Sequence, residues 1–281
     1  MSDLAWIALS LTGRIGGKTL RALLQHFDGD VQAVLRADTP QLREVPGIGP
    51  KIAQSIRQLD LAQVEQALYR WQAQAVRIVT LDDPAYPDRL RALPDAPPTL
   101  FMRGEWRADP ARTVALVGTR SPTAETRKIA QNLSSLLVER GYTIISGLAL
   151  GIDAAAHMGA LALPQGYTLA VLGCGVLNIY PPAHQPLAEA VMRRGALLAE
   201  VNPDAPPSSS ALVARNRLIS GLSDALIVVE TTTEGGAMHA ARFAQAQGRA
   251  VYALDIAASG NQAILAQGGL PIAPDLQAVL L

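Results

Sequence analysis

Short apolar runs alternate with segments of helical periodicity over the C-terminal part of this 281-residue chain. The apolar runs occupy 113–117, 142–145, 168–172, 196–199, 225–229 and 250–253, and the helical segments lie near 124–139, 151–162, 184–194, 211–221 and 235–247. Apolar strands joined by helices form parallel sheets that are covered on both faces, because each crossover lays a helix on the sheet. The alternation therefore predicts a parallel α/β domain over residues 113–281.

The sequence before residue 113 has a different hydrophobic pattern. Residues 1–78 carry helical spacing, as in Leu20, Leu23 and Phe27, and are punctuated by glycines and prolines that divide them into short helices. A proline-rich stretch follows, and we interpret residues 79–112 as a linker that packs on the next domain. The chain is thus expected to begin with a small all-helical domain.

Composition narrows the function classes. With 49% hydrophobic residues the chain can bury a sizeable core, and no apolar run reaches the length of a membrane span, so no membrane partner is expected. Cys174 is the single cysteine, which excludes an intramolecular disulfide and fits a cytoplasmic protein. The formal net charge of zero argues mildly against a nucleic-acid partner, although a neutral total can contain a local basic patch.

The segment 45–53, Val-Pro-Gly-Ile-Gly-Pro-Lys-Ile-Ala, matches a helix-hairpin-helix motif. Its Gly47 and Gly49 form the turn, so that backbone N–H groups at a helix N-terminus and the cation of Lys51 can face a phosphate. Two interpretations stay open: a second DNA contact at these three residues, or a hairpin that only holds the helical domain together. A degenerate copy lies at 14–19.

That copy contains Gly17-Lys18-Thr19, which looks like the end of a phosphate-binding P-loop. The spacing fails, because the required first glycine falls at Thr12, and no strand precedes the segment. An ATPase is therefore rejected.

Glycine-rich loops follow the predicted strands of the α/β part. Ligands bind outside the carboxyl ends of parallel strands, where glycine permits close approach of a ligand to the backbone. The loops in question are Gly118-Thr119-Arg120, Ser146-Gly147, Gly173-Cys174-Gly175 and Glu230-Thr231 with Gly235-Gly236. These loop positions predict a Rossmann-like ligand site.

Asp153 and His157 lie four residues apart on a predicted helix and can imitate an acid–base or metal-binding pair. A metal site needs three or four ligands, and the other histidines show no supporting spacing. We expect a structural role for this pair, with no metal, no cofactor and no catalytic residue in the chain.

Several ordered motifs of the α/β part resemble those of the DNA-processing protein A (DprA/Smf) family. The resemblance covers roughly residues 105–270, and the motifs are Gly-Thr-Arg at 118–120, Ser-Gly-Leu-Ala-x-Gly-Ile-Asp at 146–153 with His157, Ala-Val-Leu-Gly-Cys-Gly at 170–175 with Tyr180-Pro181, and Arg-Asn-Arg-x-Ile-Ser-Gly-Leu-Ser at 215–223. The N-terminal part is similar to the family's sterile-alpha-motif-like domain.

The resemblance implies a non-enzymatic protein of natural transformation that binds incoming single-stranded DNA, protects it and helps to load the RecA recombinase. It also implies a homodimer formed through the α/β domain, and an apolar stretch at 263–281 is compatible with that. The DNA pocket is expected to comprise Gly118, Thr119, Arg120, Ser146, Gly147, Arg215, Asn216, Arg217 and Gly235. Where the family carries a pocket lysine this chain has Tyr167, which we expect to stack on a base.

Two enzymes compete with this interpretation. A Rossmann-like nucleotide phosphoribohydrolase is the alternative, but such enzymes carry Pro-Gly-Gly-x-Gly-Thr where this chain has Thr-Thr-Thr-Glu-Gly-Gly at 231–236. A dinucleotide dehydrogenase fails because no Gly-x-Gly-x-x-Gly follows the first strand.

Overall fold

The computed structural model describes residues 4–12 and 15–276. Arg14 of the degenerate hairpin copy and residues 277–281 of the apolar C-terminal stretch lie outside these described residues. The chain divides into two compact units: one runs to Phe101 and includes Glu200–Asn202, and the other starts at Met102 and contains the rest.

The first unit is mostly helical. Its elements are α1 (Leu4–Leu11), α2 (Gly17–His26), α3 (Val31–Arg36), α4 (Thr39–Glu44), α5 (Pro50–Arg57), α6 (Leu61–Ala73), β1 (Arg77–Thr80), α7 (Asp88–Arg91) and the beginning of β2 (Thr99–Gly104). Aspartates begin three of these helices, because the carboxylates of Asp30, Asp38 and Asp60 accept hydrogen bonds from first-turn N–H groups. The apolar face of α2, with Leu20 and Leu23, packs in the core of this unit.

The boundary between the two units falls inside β2, within the stretch 79–112 that was predicted as a linker. That stretch contains regular structure. The Tyr86 hydroxyl donates to the carbonyl of Pro97, and the indole of Trp6 donates to that of Pro98, so the prolines are fixed to the first unit by buried hydrogen bonds.

The second unit alternates strands and helices. Its elements after β2 are β3 (Thr113–Val117), α8 (Ala124–Glu139), β4 (Thr143–Ser146), α9 (Ile152–Leu161), β5 (Thr168–Val171), a 3-10 turn (Pro182–His184), α10 (Gln185–Arg193), β6 (Gly195–Ala199), α11 (Ser209–Ala214), α12 (Asn216–Gly221), β7 (Ala225–Val228), α13 (Ala237–Ala246), β8 (Ala250–Leu254), α14 (Ser259–Ala266) and β9 (Leu270–Ile272). The six predicted strands coincide with β3 to β8 to within one or two residues. The predicted helix 211–221 is instead two short helices that meet at Arg215.

The strands from β3 to β9 pair in parallel in the order β6-β5-β4-β3-β7-β8-β9. All residues of β3 to β7 are buried, as a sheet covered on both faces requires. The order reverses at β3, which has β4 on one side and β7 on the other. This reversal is the point at which doubly wound sheets open a ligand crevice. The predicted fold class, a Rossmann-like domain preceded by a small helical domain, is confirmed.

Candidate functional site

A cavity of ≈ 540 Å³ opens at the carboxyl ends of β3, β4 and β7. Its walls are the loops after these three strands, the loop after β5, helix α11 and the first turns of α12 and α13. The lining residues are Val117, Gly118, Thr119, Arg120, Ala149, Asp153, Tyr180, Ser209, Leu212, Val213, Arg215, Asn216, Thr231, Thr232, Gly235, Gly236 and Ala237. The cavity therefore lies at the topological switch point of the sheet.

Arg120 stands exposed at this cavity. The loop that carries it is fixed, because the Thr119 N–H donates to the Glu230 carbonyl (2.7 Å) and the Thr119 hydroxyl accepts from the Ser121 N–H (3.2 Å). Within the described part of the chain, the Arg120 side chain makes no hydrogen bond or ion pair. Its guanidinium is thus held near the cavity with its donors directed to solvent or ligand.

Arg215 also belongs to one of the motifs identified in the sequence, but its side chain is buried, whereas that of Arg120 is exposed. The Arg215 side chain is 6% exposed and lies 3.5 Å from the Asp153 carboxylate. The guanidinium also donates to the carbonyls of Val171 (2.7 Å) and Leu212 (3.3 Å). Arg215 therefore ties the end of β5 to α11 and α9 and forms the floor of the cavity.

The charges of this buried pair stabilise each other. Burial raises the pKa of the Asp153 carboxyl, and the Arg215 guanidinium opposes that shift. Burial likewise lowers the pKa of Arg215, which Asp153 opposes. Since an arginine keeps its proton in proteins, the pair remains ionised and its net charge is zero.

His157 is fully buried and faces β5 rather than the cavity. Its Nδ1 lies 2.8 Å from the Thr168 hydroxyl, which itself donates to the Ile144 carbonyl, so Nδ1 carries the hydrogen and donates. Burial lowers the pKa of His157 to about 3, so the ring is neutral at physiological pH. Asp153 and His157 therefore have separate partners, in agreement with the structural role expected for them.

The glycines of the cavity are required by close packing. A Cβ on Gly118 would lie 2.6 Å from Cγ1 of Ile152 and 2.9 Å from the Glu230 carbonyl oxygen. A Cβ on Gly147 would collide with the Arg215 guanidinium, and one on Gly235 with the Thr231 hydroxyl.

The structure brings together most, but not all, of the pocket predicted from sequence. Gly118, Thr119, Arg120, Arg215, Asn216 and Gly235 line the cavity. Gly147 lines a small recess that also contains Arg120 and Tyr180. Ser146 lies beneath the surface, fully buried, with its hydroxyl donating to the Leu116 carbonyl (2.6 Å). Arg217 is not among the lining residues of either space.

The structure does not bring Tyr167 to this site. Tyr167 directly precedes β5, and in a parallel sheet the amino ends of the strands lie at the edge opposite the carboxyl ends. Its ring is buried beneath the Arg107 guanidinium, 4.5 Å from the ring centroid, and its hydroxyl donates to the Glu105 carbonyl (2.8 Å). Tyr167 is therefore a packing residue in the structure, and its expected stacking on a base is not retained.

Three exposed apolar side chains at the cavity were missed. Leu150, Tyr180 and Val213 are 46%, 39% and 37% exposed and line the cavity or its adjoining recess. The Tyr180-Pro181 motif had been recognised but not assigned to the site. Leu150 and Val213 carry no signal in sequence that distinguishes them from core residues.

The predicted hairpin of the first unit is present as the end of α4, a turn and α5. Gly47 has a φ of +88°, and at both Gly47 and Gly49 no atom comes within 4 Å of the point that a Cβ would occupy, so the turn faces open space. Helix α5 begins at Pro50 without a side-chain cap, and Lys51 is exposed in its first turn. Buried Ile48 anchors the turn to the core.

The described residues contain no group of three or more His, Cys, Asp and Glu side chains placed to share a metal ion. Among residues 4–12 and 15–276, no helix combines the length and the apolarity needed to cross a bilayer.

The fold and the cavity define a Rossmann-like protein with a cavity at the switch point of the sheet, in a chain that also contains a helix-hairpin-helix unit. The family model for DNA recombination-mediator protein A matches residues 77–272, and that for a SAM-like helix-hairpin-helix tandem matches residues 12–58. The chain belongs to the DNA recombination-mediator protein A family, as its motifs predicted.

Curated relatives and solved structures agree with this assignment. The chain is 37% identical to protein Smf of Synechocystis over 89% of its own length and 63% of the relative's, and 32% identical to DNA processing protein DprA of Bacillus subtilis over 74% and 71%. It thus spans about two thirds of the length of these relatives. The structure of DprA from Streptococcus pneumoniae matches with a TM-score of 0.82 at 27% identity, over 97% of this chain and 95% of that one. A structure that addresses the single-stranded DNA binding mode of DNA processing protein A from Helicobacter pylori matches with a TM-score of 0.63 at 30% identity, over 70% and 91%.

Proposed function

We propose that this chain binds single-stranded DNA at the cavity around Arg120. The observation that carries the proposal is an exposed guanidinium with no protein partner in the described residues, fixed beside a cavity that glycine backbone lines. Arginine and backbone N–H groups neutralise phosphates, and glycine lets a bare strand approach. Gly118, Thr119, Asn216 and Gly235 complete the proposed contact surface.

The shape of the site favours a single strand over a duplex. A concave cavity accepts an unpaired nucleotide, whereas duplex readout requires an element that protrudes into a groove. The single-stranded DNA binding mode addressed for the relative from Helicobacter pylori supports this choice. Binding without sequence specificity is expected, because phosphate contacts carry no base information.

Family membership supports a proposal for the wider role. The protein acts in the cytoplasm in natural transformation, protects incoming single strands, helps to load the RecA recombinase and works as a homodimer through its α/β unit. A RecA strand-exchange assay on DNA precoated with a single-strand-binding protein tests the loading step, and light scattering at micromolar concentration tests the dimer. Failure to stimulate strand exchange would count against RecA loading, and a monomer in light scattering would count against the homodimer.

The protein is proposed to be non-catalytic. Asp153 lines the cavity, but its carboxylate is paired with Arg215, and neutral His157 faces Thr168, so the two side chains do not act together as an acid–base pair. Nucleoside monophosphates, ATP and DNA should therefore remain intact on incubation. An activity that copurifies with the protein and hydrolyses a nucleoside monophosphate to free base and ribose 5-phosphate would instead support the phosphoribohydrolase.

A second DNA contact is proposed at Gly47, Gly49 and Lys51. The exposed turn and the uncapped start of α5 offer N–H groups and one cation to a phosphate. Lys51→Ala should lower the salt dependence of binding by about one phosphate contact, and Lys128→Ala, an exposed lysine on α8, is the control. If the two variants show the same salt dependence of binding, the hairpin has a structural role and does not contact DNA.

The test of the main proposal is a binding titration at several salt concentrations. A single-stranded oligonucleotide, the duplex of the same sequence and mononucleotides are compared. The single strand should bind most tightly, and its affinity should fall as salt rises because counterions are released. Equal or tighter duplex binding, or a flat salt response, would overturn the proposal.

A further inference from the structure

The cavity combines a polar interior with an exposed apolar rim. In the described part of the chain six large apolar or aromatic side chains are exposed, and three of them, Leu150, Tyr180 and Val213, lie around this one cavity and its recess. Single exposed apolar side chains need no explanation, but a cluster beside a ligand cavity marks a surface that a ligand covers.

Tyr180 is the aromatic member of that rim and lines both spaces together with Arg120. Earlier in the same loop, the Asn178 N–H donates to the Gly175 carbonyl (2.9 Å), just after β5. Four residues after Tyr180, His184 Nδ1 donates to the Leu148 carbonyl (2.8 Å), just after β4. The loop that presents Tyr180 is thus attached to the ends of β5 and β4, so little conformational entropy is lost when its ring is covered.

The Leu148 carbonyl, which accepts the hydrogen bond from His184, belongs to a residue with an unusual backbone conformation. Leu148 has a φ of +60° and is fully buried, so this loop turns sharply to bury one side chain and to direct its carbonyl towards His184. A branched residue in the left-handed region is costly and persists where the surrounding structure determines it. The rim is therefore preorganised.

We propose that Tyr180 is the stacking platform for an unpaired nucleobase, flanked by Leu150 and Val213. This inference rests on the proposed binding of single-stranded DNA and adds the group that recognises bases as distinct from phosphates. A phenol ring stacks on the π-face of any base, and Arg120 beside it holds the adjacent phosphate. Because of Tyr180, the site binds a strand that carries bases more tightly than a polyanion of the same charge without bases.

The experiment compares two strands of equal length and charge, oligothymidylate and an abasic strand, by fluorescence anisotropy with the full chain. The parent should prefer the thymidine strand. Tyr180→Leu should weaken thymidine binding about tenfold, the loss of one base–aromatic contact, and leave abasic binding unchanged, so that the preference is lost. Tyr180→Phe should behave as the parent.

Tyr69→Leu is the matched control, because Tyr69 is 67% exposed on α6 and lies in neither space. It should change neither affinity. Tyr180→Trp keeps an aromatic face and should retain the preference, which keeps the test decisive if the leucine variant does not fold.

The outcomes separate this inference from the proposed function. A parent that fails to bind the thymidine strand would refute single-strand binding itself. A parent that binds both strands equally, or a Tyr180→Leu protein that weakens both or neither, would refute the stacking role of Tyr180 alone.

Discussion

The glycine-rich turn of the helical unit and the glycine-rich loops of the α/β unit look alike in sequence but have different physical causes. At Gly47 and Gly49 nothing approaches the position of a Cβ, and Gly47 is required by its positive φ. At Gly118 and Gly147 a Cβ would collide with neighbours that shape the cavity. The first region is an open backbone surface, whereas the second is a packed wall with the exposed cation of Arg120 at its mouth.

A motif residue can therefore serve a site without touching its ligand. Arg215 belongs to the Arg-Asn-Arg motif and lines the cavity, yet its guanidinium is used by Asp153 and two carbonyls. Arg120 carries the same chemical group with no such partners in the described residues. Mutation of Arg215 should therefore lower the stability of the protein, whereas mutation of Arg120 should lower its affinity for DNA.

The largest effect is expected for Arg215→Ala. This change leaves the Asp153 carboxylate buried without its counter-charge and should lower the free energy of unfolding by about 3–5 kcal/mol. Urea denaturation followed by circular dichroism measures it. The double variant Asp153→Leu with Arg215→Met removes both charges and should recover much of the loss. A stable Arg215→Ala protein with weakened DNA binding would make Arg215 a ligand of phosphate instead.

A smaller effect should distinguish the two kinds of glycine. Gly118→Ala forces a methyl group against Ile152 and the Glu230 carbonyl and should cost about 1–3 kcal/mol of stability. Gly49→Ala, with a negative φ and open space, should stay within about 0.5 kcal/mol of the parent. Thermal midpoints of both variants provide the comparison. Equal destabilisation would contradict the division into packed and open glycines.

The pH dependence of stability should report on the buried histidine. Below pH 6.5 the unfolded chain takes up a proton that folded His157, with a pKa of about 3, does not accept. Stability should therefore fall by about 1.4 kcal/mol per pH unit from this group as the pH drops from 6.5 towards 3.

His157→Asn keeps a hydrogen-bond donor near the Nδ1 position but has no group that titrates. Its free energy of unfolding, measured by denaturation at pH 6.5, 5.5 and 4.5, should therefore fall less steeply with decreasing pH than that of the parent. The Asp153 carboxyl, whose pKa burial raises, is present in both proteins and cancels in the difference. A parallel shift of the His157→Asn curve, with no change of slope, would contradict a titrating His157.

Strand–helix alternation was enough to predict the sheet, because fully buried strands leave continuous apolar runs. It did not reveal β9, since Pro271 argues against a strand except at a sheet edge, and β9 occupies an edge of the sheet. The loops of the site were predicted from their positions after the strands. Whether an arginine in those loops is buried depends on how α11 packs over β5, which no local pattern encodes. The same holds for Tyr180, whose exposure depends on the fold of a long loop.

DNA binding at the cavity is tested most sharply by the single-strand affinity of Arg120→Ala as a function of salt. We predict a loss of about 1.5–3 kcal/mol in binding free energy, the value of a hydrogen bond to a charged group, with an unchanged thermal midpoint because the side chain is exposed. The salt dependence should fall by about one phosphate contact, and Arg120→Lys should recover part of the affinity. Arg127→Ala changes an exposed arginine on α8 that is not among the lining residues of the cavity or its recess, and this variant should bind as the parent does. Unchanged binding by folded Arg120→Ala would contradict the proposal and place the DNA site elsewhere on the protein.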